Sequence, residues 1–157
     1  MTPVYLFDWG DTLMVDHREQ TGPMCDWSEV TAVDGSVETL AILSKSHRVY
    51  VATNAADSSE EEIKRAFERV GLDQYINGYF CKSNLGIEKG SPAFFEEIVQ
   101  HLGVNSDLIT MVGDSYNNDI APAISAGLKA IWVTPSNNSN QAHDDVNQIN
   151  NLRELCG

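Results

Sequence analysis

Short apolar runs alternate along this chain with stretches whose apolar residues recur at helical spacing. The first run, Val-Tyr-Leu-Phe at residues 4–7, stops at Asp8. A second at 49–52 stops at Thr53-Asn54, and a third covers 79–81. A fourth at 108–112 stops at Gly113-Asp114, and a fifth covers 130–133. Apolar runs this short, bounded by turn residues, predict strands buried on both faces. Between them, residues 34–46 carry Val37, Leu40, Ala41 and Leu43 on one helical face. Residues 58–70 open with Ser-Ser-Glu-Glu-Glu, which suits the positive end of a helix, and Gly71 closes them. Residues 91–102 form a third helix with Ser91 as cap and Pro92 in its first turn. Residues 118–126 form a fourth, closed by Gly127. The polar, Asn-rich stretch 135–145 reads as a loop, and 146–155 as a short closing helix.

Strands alternating with helices imply an α/β fold of three layers, a parallel sheet with helices on both faces. Such folds place their chemistry at the carboxyl ends of the strands. At 157 residues the chain is expected to be one domain, 1–157. Its formal net charge of −13 argues against nucleic acid and anionic membrane as partners, since phosphate backbones demand clustered Lys and Arg. The three cysteines, Cys25, Cys81 and Cys156, are widely spaced and suggest neither a disulfide framework nor a zinc site. The four histidines show no ligand spacing. No basic leader opens the sequence, and no apolar run approaches the roughly 20 residues of a membrane helix. A cytoplasmic location is therefore expected.

The residues that end the strands carry the chemistry. Asp8, Asp114 and, one turn further, Asp119 supply carboxylates; Thr53 supplies a hydroxyl; Lys89 stands just before a helix start. A carboxylate can attack phosphorus and form an acyl phosphate. The like charge of the phosphate must then be offset, and Mg²⁺ does this with oxygen ligands. Asp8 and Asp114 suit that ion, with Asp119 as a ligand or as the holder of its waters. Thr53 can donate to a phosphoryl oxygen, and Lys89 can balance negative charge.

These residues, in this order, resemble the motifs of the haloacid dehalogenase superfamily over residues 4 to 133. Asp8 with Thr12-Leu13 looks like its first motif and Thr53 like its second. Lys89 with Ser91-Pro92 and Phe95 looks like the third, and Gly113-Asp114 with Asp119 like the fourth. The resemblance implies a Rossmann-like fold with a five-stranded parallel sheet of order 5-4-1-2-3. It implies a hydrolase acting on phosphate esters through an aspartyl-phosphate on Asp8, with Thr53 and Lys89 as further catalytic residues. It places Asn54, Gly10 and Asp11 around the substrate. It implies an Mg²⁺ site using Asp8, Asp114 and the main-chain carbonyl of Gly10, beside Asp119.

Two positions depart from the pattern. Phosphatases of the superfamily carry a second Asp two residues after the nucleophile, as general acid and then base; here Gly10 stands there and Asp11 follows. Gly90 replaces the usual Pro after the lysine. The insert before the first helix, 15–34, is too short for a helical cap. An uncapped site either admits bulky phosphorylated substrates or is shielded by a second subunit of a homo-oligomer. The missing second Asp keeps two alternatives open: a phosphate-binding protein of low turnover, and a haloacid dehalogenase-type hydrolase. Trp9 packs under its loop or faces substrate, and the sequence does not choose.

Overall fold

The computed structural model describes residues 2–15, 17, 19–53, 59–87, 89–134 and 147–156. Strand β1 (Val4–Phe7) lies inside the sheet because its side chains are apolar toward both faces. Val4 and Leu6 enter a core with Phe94, Phe95, Ile98 and Met111. Phe7 enters the other, with Leu40, Val49, Val51 and Phe67. Alternation along one strand thus feeds two cores, the condition for helices on both faces.

The remaining strands are β2 (Arg48–Ala52), β3 (Gly78–Phe80), β4 (Ile109–Gly113), β5 (Lys129–Val133) and β6 (Asn147–Ile149). All neighbours pair in parallel, in the order β3-β2-β1-β4-β5-β6. The expected order holds for the first five strands, but the sheet has six. Helices α1 (Ser36–Leu43), α2 (Glu60–Glu68), α4 (Pro92–Leu102) and α5 (Ala121–Ser125) fall where periodicity predicts them. A short α3 (Lys82–Leu85) lies between β3 and α4. At the start of α2 the Ser59 amide donates to Glu62 Oε1 at 2.9 Å while the Glu62 amide donates back to Ser59 Oγ at 3.3 Å. Both amides would otherwise lack partners at a helix start.

The helix expected over 146–155 is corrected. Asn147, Gln148 and Ile149 pair with Ile131, Trp132 and Val133, and a 3₁₀ turn, Leu152–Cys156, follows. The Thr134 amide donates to Ile149 O at 2.8 Å. A strand edge offered by β5 satisfies three backbone positions that a helix interrupted by Asn150 and Asn151 would hold poorly. Leu152 is buried against the α1 core, and Arg153 reaches Asp34 at 2.8 and 3.2 Å. The stretch expected to be a loop over 135–145 lies outside the described residues.

The insert leaves and returns as a pair of antiparallel segments: the Val15 amide donates to Thr31 O and the Val33 amide to Leu13 O, each at 2.8 Å. Its 3₁₀ turn Met24–Asp26 packs on α2, with Met24 buried. Arg69 Nη1 donates to the carbonyls of Cys25, at 3.2 Å, and Trp27. The insert is therefore fastened to α2. Beneath it Trp9 is buried, its ring 6.1 Å from that of Phe67, which answers the question the sequence left open. No helix among the described residues is long and apolar enough to cross a membrane.

Candidate active site at the carboxyl ends of the strands

The end of β1 is tied to β4 by the Asp8 amide, which donates to Val112 O at 2.9 Å. The chain then turns back on Trp9, whose carbonyl accepts from the amides of Leu13 and Met14 at 3.1 and 3.0 Å. Asp11 takes the left-handed conformation at this turn, φ 61°. Asp is one of the few side chains that tolerate it. The turn brings buried Thr12 back over the rim: its hydroxyl lies 3.3 Å from Asp8 Oδ2 and 3.5 Å from Asp114 Oδ1.

Beyond β4 the chain passes Asp114 into a π-helical turn, Tyr116–Ile120, a wide turn of a kind frequent at functional sites. Ser115 Oγ accepts from the Asn118 amide at 3.2 Å and opens it. The turn swings Asp119 inward until it is wholly buried. One Asp119 oxygen accepts from the Ser115 amide at 3.2 Å; the other meets Lys89 Nζ at 2.7 Å. Lys89, itself buried, also donates to Asp8 Oδ1 at 2.6 Å and to the Ala52 carbonyl at 3.2 Å. Buried charges are tolerated when paired and hydrogen-bonded in this way. Gly90, φ 115°, makes the turn that delivers Lys89 before α4; proline, locked near −65°, could not make it. That accounts for the departure at this position.

Electrostatics follow from the packing. Burial alone would favour neutral Asp8, but the Lys89 charge and hydrogen bonds from Asp114, Lys89 and the Trp9 amide hold its carboxyl below the usual range. Burial also opposes charge on Lys89; the carboxylates of Asp8 and Asp119 outweigh it and push the ammonium up to about 12. Burial, the hydrogen bond with Asp8, and the charges of Asp8 and Asp119 push Asp114 up to about 8. Burial and the Asp8 charge push Asp119 to about 6, against the pull of Lys89.

The ligand oxygens of Asp8, Asp114 and Asp119 lie within 4.8 Å of one another. Three carboxylates with one ammonium leave a surplus of negative charge, carried by oxygen donors. That set fits a hard divalent cation.

The structure thus brings together Asp8, Lys89, Asp114 and Asp119. Thr53 is buried at the end of β2, its amide donating to Phe80 O at 2.9 Å, one residue beyond the Ala52 carbonyl that holds Lys89. Gly10 and Asp11 stand partly exposed in the loop after β1. Asn54 lies outside the described residues. Sequence reasoning named Thr12 without a role and missed Trp132. Thr12 bridges two carboxylates, and Trp132 Nε1 donates to Asp114 O at 3.0 Å. The Thr12–Asp114 and Trp132–Asp114 contacts have no local sequence signal, since each joins separate segments of the chain.

Gly113 is needed for space. A Cβ there would lie 2.6 Å from Asp119 Cγ and 2.7 Å from its Cβ, closer than real contacts allow. Gly113→Ala is expected to displace Asp119 from Lys89 and to destabilise the fold by about 1–3 kcal/mol through overpacking. A urea denaturation midpoint equal to that of the wild type would show that Asp119 is not wedged against Gly113.

Comparison with known proteins agrees with this geometry. The family model for hydrolases described as haloacid dehalogenase-like matches residues 8–127. Over 90 residues the chain is 30% identical to glyceraldehyde 3-phosphate phosphatase of Methanothermobacter thermautotrophicus. That stretch is 57% of this chain but only 38% of that protein's length. Among solved structures, a protein from Listeria monocytogenes serotype 4b shares the fold with a TM-score of 0.83 at 23% identity, over 98% of this chain and 94% of that one. The HAD-hydrolase YfnB from Bacillus subtilis, solved bound to magnesium, gives a TM-score of 0.77 at 15% identity, over 98% and 96%.

Proposed function

The chain belongs to the haloacid dehalogenase-like hydrolases, and from that premise we propose that it is a Mg²⁺-dependent phosphatase that attacks phosphate monoesters with Asp8. The observation that carries this reading is the buried Asp8–Lys89–Asp119 array with Asp114 beside it at the sheet rim. Lys89 and Thr12 hold the Asp8 carboxylate in one orientation, and Lys89 keeps it ionised. An Asp8 oxygen forms a bond to phosphorus as the bond to the bridging ester oxygen breaks, leaving an acyl phosphate and an alkoxide. Water then attacks phosphorus, releasing inorganic phosphate and restoring the carboxylate. Asp119 holds Lys89 toward the incoming phosphoryl group, where its ammonium offsets charge. Thr53, with Asn54 next to it, is assigned to the phosphoryl oxygens, and Gly10 and Asp11 to the substrate side of the loop.

Asp8, Asp114 and the Gly10 carbonyl would hold Mg²⁺, with Asp119 as a ligand or a holder of its waters; the ion supplies charge neutralisation at the phosphoryl oxygens. The phosphatase identity of the Methanothermobacter relative and the magnesium bound to YfnB support this choice. So does the retention of Asp114 and Asp119, which attack on a carbon–halogen bond would not require. The insert is fastened to α2, which suits bulky phosphorylated substrates or shielding by a second subunit. Cys25, Cys81 and Cys156, which form no disulfide among the described residues, suit the reducing cytoplasm.

Phosphate release from an aryl phosphate, with and without millimolar Mg²⁺, tests the reading, alongside thermal unfolding. Mg²⁺ at about 100 times its Kd is expected to stabilise the fold by about 2.7 kcal/mol. Asp114→Asn is expected to remove most of that gain. No Mg²⁺-dependent shift together with no phosphate release would refute the proposal.

A further inference from the structure

We propose that Trp132 is a positioning residue for Asp114, so that its indole N–H sets the affinity of the site for its divalent cation. This inference rests on the phosphatase reading and adds a residue to it.

Asp8 and Asp119 are buried and held through Lys89, and Asp119 also through the Ser115 amide. Asp114 differs. It is half-buried, and its side chain meets Thr12 at 3.5 Å, at the limit of a hydrogen bond, and shares a hydrogen bond with Asp8. Those two contacts fix the tip of the side chain, and the backbone that carries Asp114 fixes its root. Trp132 grips that backbone. It lies on β5 directly beside Gly113 in the parallel register, one residue before the point that needs fixing. Its ring is buried, its Nε1 donates to the Asp114 carbonyl at 3.0 Å, and its ring centroid lies 5.3 Å from that of Tyr116, the two rings tilted by 57°. The two contacts flank Ser115, so Trp132 braces the first step out of β4 on both sides. A neutral hydrogen bond of this kind fixes where a ligand sits without touching the ion, as outer partners of metal ligands do elsewhere.

Trp132→Phe keeps a ring against Tyr116 and removes the donor. Mg²⁺ titration by calorimetry at 25 °C is the first measurement, with wild type and Asp114→Asn as references. The apparent Kd of Trp132→Phe is expected to rise by about 3- to 10-fold. A role in packing alone would lower the unfolding midpoint and leave this Kd unchanged; an unchanged Kd in folded Trp132→Phe overturns the inference. The second measurement needs no variant of Trp132. In ¹⁵N-labelled wild type the three tryptophans give three indole signals. The Trp132 signal, identified by its proximity to the Tyr116 ring, is expected to move along the Mg²⁺ titration. That of Trp27, which donates to Gly22 O within the insert, is expected to stay in place. A Trp132 signal that does not move while Mg²⁺ binds also overturns the inference. Wild type that takes up no Mg²⁺ overturns the metal reading itself, and this inference with it.

Discussion

Asp8→Asn is expected to abolish turnover, lowering kcat/KM by at least roughly 10⁴-fold, the scale seen when a nucleophile is removed. The amide keeps the shape of the carboxylate but is a far poorer nucleophile. The structure explains why the loss should be chemical and not a failure to fold. The amide oxygen can still accept from Lys89 in place of Asp8 Oδ1, and Lys89 keeps its 2.7 Å contact with Asp119 and its bond to the Ala52 carbonyl. The Asp8 charge is one of the causes that raise Asp114 and Asp119, so its removal relieves crowding among the remaining carboxylates. The variant should therefore unfold close to the wild type while releasing no phosphate. Beryllium fluoride with Mg²⁺, which mimics the acyl phosphate, should stabilise wild type and leave Asp8→Asn unaffected. Hydrolysis retained in rigorously purified Asp8→Asn would mean that water attacks phosphorus directly.

Gly10 sets the second expectation. With no carboxylic acid at that position, the departing oxygen lacks a proton donor, and general-acid help is worth about 10²–10⁴-fold. Wild type should hydrolyse aryl phosphates, whose leaving groups depart unprotonated, far faster than alkyl or sugar phosphates. Gly10→Asp should raise alkyl phosphate turnover by up to about 10²–10⁴-fold and change aryl turnover little. Gly10 is not among the positive-φ glycines, whereas Asp11, its neighbour, has φ 61°. The left-handed step that glycine suits best is thus taken by an aspartate. Asp11→Ala should leave the leaving-group dependence in place and cost some stability, since Ala tolerates φ near 61° poorly. Fast hydrolysis of alkyl phosphates by wild type, lost in Asp11→Ala, would show that Asp11 has assumed the acid's role.

Local sequence determined most of the fold. Five apolar runs gave five strands to within a residue or two, because the buried positions of each strand are apolar. Pro92 and the Ser-Ser-Glu-Glu-Glu run marked their helix starts for equally local reasons, a fixed φ and acidic side chains at the positive end of a helix. Strand ends in a parallel sheet share one rim, so Asp8 and Asp114 were legible as neighbours before any coordinates. What tertiary structure decided were contacts between segments remote in sequence. β6 is three residues without an apolar run, and it is a strand because β5 offers it an edge. Trp9 faces the core, where it joins the cluster that also holds Met24 of the insert and Phe67 of α2. Lys89, in a loop, meets both Asp8 and Asp119 because Gly90 turns it inward and the π-turn brings Asp119 up to it. Trp132 reaches Asp114 because β4 and β5 pair Gly113 with Trp132 and not with a neighbour. Periodicity and caps are properties of a few consecutive residues; register is fixed only when both faces of the sheet are packed, because a shift by one residue would turn every buried side chain outward.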